Sequence, residues 1–148
     1  MERLGYGTHL TVDAFQAQRE SLADETAVRQ LLVELASVME SNCGEDFLEQ
    51  VVRVDDGYSV ARLCSESQLF IHLFPQSETL SCRVFTRRNA SLGPVVDKLR
   101  EHFQTGRFQS HLSSVSKVAD HSEDAVRRML QGDRRYSQAR FDAVINGP

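Results

Sequence analysis

The chain has 148 residues, 41% of them hydrophobic and 26% charged, with a net charge of −4, values that fit one globular domain with a substantial core. No dense Lys/Arg run marks a nucleic-acid footprint, since Arg87-Arg88, Arg127-Arg128 and Arg134-Arg135 are separated pairs. No apolar run approaches the about 18 residues of a membrane span, and the N-terminus has no signal-peptide core, so a cytoplasmic protein is expected.

Gly5 to Phe15 reads as a first strand, Thr8, Leu10 and Val12 alternating with His9, Thr11 and Asp13. Asp24 caps a helix whose apolar face carries Val28, Leu31, Leu32, Leu35 and Met39, with Asn42-Cys43-Gly44 as its stop. Four short strands follow: Val51–Val54, Tyr58–Cys64, Leu69–Phe74 and Thr79–Thr86. The first two are separated by Asp55-Asp56-Gly57, and links this short make antiparallel neighbours. Pro94 opens a second helix with Val95, Val96, Leu99 and Phe103 on one face, and a mixed strand runs near Phe108–Val118. A last helix spans Ser122 to Gln131, with a Ser cap and Gly132 as its end, leaving 133–148 as a loosely docked polar tail. The expected fold is of the α/β (α+β) kind: a two-layer sandwich, a mainly antiparallel sheet with helices on one face. Cys43, Cys64 and Cys82 form neither a CxxC pair nor an even set and read as three reduced thiols. His102, His111 and His121 lack metal-ligand spacing and read as structural, so no metal is expected.

The most informative stretch is Ser65-Glu66-Ser67, followed by His72 and Phe74-Pro75. Gly7-Thr8-His9-Leu10 precedes it, Ser59 stands eight residues before Ser67, and Val84-Phe85-Thr86 closes the next strand. In this order and spacing the chain resembles the small prokaryotic S-adenosylmethionine decarboxylases from about Leu4 to Val118. The resemblance implies a proenzyme that cuts itself between Glu66 and Ser67. The Ser67 hydroxyl attacks the Glu66 carbonyl, a base removes the Ser67 α-hydrogen, and elimination and hydrolysis leave a pyruvoyl group at position 67. His72 matches the family's histidine for this step and Ser59 a second hydroxyl that assists it, an imidazole suiting proton transfer near neutrality. The pyruvoyl carbonyl then condenses with a substrate amine as a Schiff base and takes up the electrons left by CO2. The implied product is a β chain, 1–66, with an α chain, 67–148, in a dimer or larger homo-oligomer with sites near a subunit interface. The domain itself is expected over 1–132. Ser67 and His72 lie five apart, which places them on opposite faces of a regular strand; the chemistry therefore calls for a bend, expected at Ser65–Gln68.

Departures from the family pattern bear on the substrate. Arg87-Arg88 stands where the family has Cys-Gly, and arginine is a poor proton donor. Cys82, on the other strand face, does not replace that cysteine. Gln68 follows the triplet where the family has histidine, Phe74 replaces a Trp but keeps a ring able to stack on adenine, and Gln76 replaces an acid, keeping hydrogen bonding without the charge. The upstream aromatic partner is Arg53. Arg83 and Arg87 share a strand face with Phe85, and this cationic patch suits a carboxylate better than a sulfonium. Phe74, Gln76 and Arg87 are therefore the expected substrate contacts. The expected function is a pyruvoyl-dependent decarboxylase of polyamine synthesis acting on S-adenosylmethionine. The alternatives are the same chemistry on ornithine or arginine, and a non-processing homologue that serves as a binding or partner subunit.

Overall fold

The computed structural model describes residues 4–39, 47–64, 66–87, 92–117 and 122–146. The alternating segments form strands β1 (Leu4–Phe15), β2 (Leu48–Val54), β3 (Gly57–Leu63), β4 (Ser67–Phe74), β5 (Thr79–Thr86) and β6 (Arg107–Lys117). They build a six-stranded sheet in the order β2-β3-β4-β5-β1-β6, every pair antiparallel. The short links make β2 to β5 sequential neighbours, as expected, while β1 inserts between β5 and β6.

Helices α1 (Arg19–Ala23), α2 (Glu25–Met39) and α3 (Gly93–Phe103) cover one face. Asp24 caps α2, its carboxylate accepting from the Ala27 N–H at 3.1 Å. The apolar stripe of α2 and Val95, Leu99 and Phe103 of α3 meet Leu10, Val12, Val60, Leu69, Ile71 and Val84 in one continuous core. Each such side chain removed from water contributes roughly 1.5–3 kcal/mol. The Asn42-Cys43-Gly44 stop and Val118 lie outside the described residues. Cys64 is disulfide-bonded and Cys82 is a buried free thiol, which corrects the expectation of three reduced thiols; Cys43 lies outside the described residues.

The largest departure from expectation is α4 (Glu123–Asn146), a single 24-residue helix that runs through Gly132. Ser122 caps it, accepting from the Ala125 N–H at 3.2 Å, but Gly132 does not end it, and residues 133–146 are helix rather than tail. This helix covers the second face of the sheet. Val126 and Leu130 pack with Val52, Ala61, Leu63 and Phe70, and Phe141 packs edge-on against Phe15 and Phe74. The buried residues Val126, Leu130, Asp133, Ser137 and Phe141 recur at helical spacing, so the stripe is real but half polar.

Gly132 therefore sits mid-helix, where glycine is unfavourable. A Cβ added there has only Arg135 Nη2 near it, at 4.0 Å. Gly132→Ala is expected to raise stability by about 0.5–1 kcal/mol, a gain of roughly 2 °C in Tm by thermal denaturation. A lower Tm would mean that the helix needs glycine at 132.

Candidate active site

Strand register places Ser59 of β3 directly opposite His72 of β4, and His72 opposite Ser81 of β5, on the face that α4 covers. The Ser59 hydroxyl lies 2.8 Å from His72 Nδ1, and His72 Nε2 lies 2.5 Å from Asp133 Oδ2. His72 and Ser59 are fully buried and Asp133 nearly so. Burial pushes the His72 pKa down, and the Arg134 and Arg83 charges push the same way, outweighing the Asp133 carboxylate. For Asp133 burial pushes upward, but His72, Arg83 and Arg140 together hold its carboxyl below the usual range. At neutral pH the imidazole is neutral, donates Nε2–H to Asp133 and accepts from Ser59 at Nδ1. The resulting Ser59–His72–Asp133 line is a buried chain of hydrogen bonds.

Arginines of α4 tie this line to the sheet. Arg134 Nη1 donates to Ser59 Oγ at 3.0 Å and to the Tyr58 carbonyl at 2.7 Å, and Nη2 reaches Asp56 at 2.9 Å. Both nitrogens also reach the Leu73 carbonyl. Gly57, at φ +146°, leaves that space open: a Cβ there would stand 2.1 Å from Leu73 O and 3.1 Å from Arg134 Nη2. Arg83 Nη1 lies 3.0 Å from Asp133 Oδ1. Arg140 binds Asp13 through Nε and Nη2 at 2.9 and 3.0 Å, beside Ser81.

Ser67 belongs to a different place. β4 keeps an unbroken register from Ser67↔Thr86 to Phe74↔Thr79, so the expected bend before His72 is absent. Regular pleating directs Ser67 to the face carrying Leu69 and Ile71, opposite to His72 and about 16 Å from it along the strand. Ser67 is buried and its Oγ has no hydrogen-bond partner. The preceding carbonyl, that of Glu66, accepts from the Arg87 backbone N–H at 2.9 Å, and the Cys64 N–H donates to the Ser67 carbonyl at 2.8 Å. Ser65 and Arg88 lie outside the described residues.

The depressed His72 pKa makes stability pH-dependent. Below about pH 6.5 the unfolded chain binds a proton that folded His72 refuses, so unfolding becomes easier as pH falls. His9 adds in the same direction, its pKa lowered by burial and by Arg83 and His111 against the opposing pull of Asp133. Each group lowers the unfolding free energy by up to about 1.4 kcal/mol per pH unit. Denaturation midpoints between about pH 8 and 5 check this, and a flat profile would contradict it.

A family model described as S-adenosylmethionine decarboxylase matches residues 8–114. The chain belongs to the S-adenosylmethionine decarboxylase family. Among solved structures, the adenosylmethionine decarboxylase of Aquifex aeolicus VF5 is similar at 15% identity and a TM-score of 0.64, covering 80% of this chain and 98% of its own. The Trypanosoma brucei AdoMetDC-delta26 monomer is similar at 15% identity and a TM-score of 0.51, covering 71% of this chain and 45% of its own. These likenesses concern the fold. No curated protein matches.

The S-adenosylmethionine decarboxylase match stops short of α4, which supplies Asp133, Arg134 and Arg140. These residues were missed in the sequence, where the last helix was expected to end at Gly132 and only the four- and three-residue spacing from Val126 to Phe141 signalled its continuation. Of the residues singled out on the family pattern, Ser59 and His72 meet, as do Glu66 and the Arg87 backbone. Phe74 is buried, with the Arg134 guanidinium carbon 4.1 Å from its ring centroid and Phe141 at 5.4 Å. Gln76 is exposed and lines, with Phe74, Asp56, Gln138 and Asp142, a cleft of about 180 Å³. Arg53 binds Glu25 of α2 at 2.7 Å, away from this cleft. Cys82 lies in the core, where burial, with Asp133 adding, pushes its thiol up to about 12; it is no proton donor near neutrality.

Proposed function

We propose that the chain is a pyruvoyl-dependent decarboxylase proenzyme that cuts itself between Glu66 and Ser67. The observation that carries this reading is the pairing of a buried, unpartnered Ser67 hydroxyl with a Glu66 carbonyl held by the Arg87 N–H at 2.9 Å. That N–H draws electron density from the carbonyl carbon and stabilises the oxygen as the hydroxyl adds, the role of an oxyanion donor. A serine with no competing partner at this position fits conversion to a pyruvoyl group, which supplies an electron-accepting carbonyl for CO2 loss. The product is a small amine of polyamine synthesis, made in the cytoplasm.

Ser67 and the Ser59–His72 pair stand at opposite ends and faces of β4, and Phe74 is about 23 Å from Ser67 along the strand. One chain does not bring these groups together. Their separation supports a site completed by a second copy, as the family resemblance implies. With α4 in place the faces of Phe74 are in use, and the cleft beside it is below the roughly 300–1,000 Å³ of ordinary ligand pockets. This favours a small amino acid such as ornithine or arginine over S-adenosylmethionine.

A second reading has its own support. α4 engages Ser59 and His72 with Arg134 and Asp133, an arrangement suited to a non-processing partner subunit. Intact mass of purified protein separates the two: the decarboxylase reading expects pieces corresponding to 1–66 and a blocked 67–148, with Ser67→Ala left whole. A single intact wild-type chain would sink it. CO2 release from S-adenosylmethionine, ornithine and arginine then identifies the substrate.

A further inference from the structure

Two buried donors on the α4 face, near the start of β4, lack acceptors. Gln68 is 8% exposed and its Nε2 has no hydrogen-bond partner; the Arg83 side chain is 38% exposed, but its Nε is buried and also lacks one. Gln68 lies opposite Phe85, and Phe70 opposite Arg83, so Gln68 and Arg83 are diagonal neighbours on adjacent strands. Parity puts both on the α4 face, and side chains of this length reach a common point across such a diagonal. Arg83 spends Nη1 on Asp133 at 3.0 Å, which orients the guanidinium and leaves Nε for another acceptor. His9 lies opposite Phe85 and Thr11 opposite Arg83 on the flanking strand β1.

Orphaned buried donors cost free energy unless something accepts from them. We infer that Gln68 Nε2 and Arg83 Nε form a carboxylate-binding subsite that anchors the carboxylate of the amino-acid substrate beside position 67. The inference deepens the decarboxylase reading and rests on it for the identity of the ligand. The chemistry is that of N–H donors, one of them cationic, meeting a carboxylate, the strong class of charge-assisted hydrogen bond. Gln68 directly follows Ser67, the residue that the proposed cut makes N-terminal, so an acceptor held here lies one residue from the new N-terminal group. A water molecule is the competing occupant of two such donors.

The test uses the Ser67→Ala chain, which stays whole whatever wild type does. With 15N-labelled glutamine, the Gln68 side-chain signal is assigned by its loss in Gln68→Leu, or in Gln68→Glu should the first variant fail to fold. Titration with sodium propionate is expected to move that signal, while ethylamine does not, and Arg83→Met weakens the response about tenfold, the worth of one hydrogen bond to a charged group. A Gln68 signal that propionate moves no more than that of exposed Gln76 would leave only a water and overturn the subsite. In the processed enzyme, Gln68→Leu is expected to raise KM about tenfold, more than it lowers kcat; the reverse split would also overturn it. An uncleaved wild-type chain would defeat the decarboxylase reading, and the propionate titration would still decide the subsite.

Discussion

Deletion of residues 133–148 is expected to destroy the folded, soluble chain. A loosely docked tail could be removed at little cost, but α4 is not one. The deletion removes Phe141 and bares Phe15 and Phe74, and loss of a buried phenylalanine alone costs about 3–5 kcal/mol. It also strands His72, Arg83 and Asp13, whose partners Asp133 and Arg140 sit on α4. The remaining helix, 123–132, is too short to hold itself together without the contacts further along. Against a total stability of about 5–15 kcal/mol, these losses are decisive. The expected result is an aggregated or unfolded product by size-exclusion chromatography and circular dichroism. A monodisperse truncated chain with unchanged Tm would show that α4 contributes little.

Asp133→Ala is expected to destabilise by about 3 kcal/mol, the upper end of the cost of leaving a buried donor without its acceptor. The carboxylate accepts from His72 Nε2 through one oxygen and pairs with Arg83 through the other. Without it, the His72 N–H loses its acceptor and two arginines face a neutral gap. For a chain of this size the loss corresponds to a Tm lower by roughly 10 °C. Asp133→Asn keeps an acceptor for His72 but not the charge facing Arg83 and Arg140, and should fall between. Thermal and urea denaturation measure both, and an Ala variant within about 1 kcal/mol of wild type would show that these hydrogen bonds contribute little to stability.

Much of the sheet could be read from the chain because alternation and short links leave few choices. Leu10 and Val12, Leu80, Cys82 and Val84 declared their faces directly, and Asp24 and Ser122 cap the helices that they were expected to cap. α4 was hidden by its own chemistry. Its inner stripe carries Asp133 and Ser137 because the face it meets carries His72, Ser81 and Asp13, so a search for apolar periodicity ends at Leu130. Tertiary packing then overrides the weak preference of Gly132 against helix. Ser59 and His72 were legible through the family pattern, and the odd spacing of Ser67 and His72 already placed them on opposite faces. The bend expected between them did not form because Gln68 to Phe74 remain fully paired with β5.

Strand order also governs what the proposed cut can do. A break at Glu66–Ser67 assigns β1, β2 and β3 to one piece and β4, β5 and β6 to the other. In the sheet the pieces interlock: β1 is gripped between β5 and β6, and β4 is flanked by β3. Three of the five ladders thus join strands from different pieces. Neither piece can leave without tearing the sheet, and β1 made alone has neither of its neighbours. The chain must therefore assemble before it is severed, and severing it leaves one inseparable body held by hydrogen bonds where a peptide bond had been.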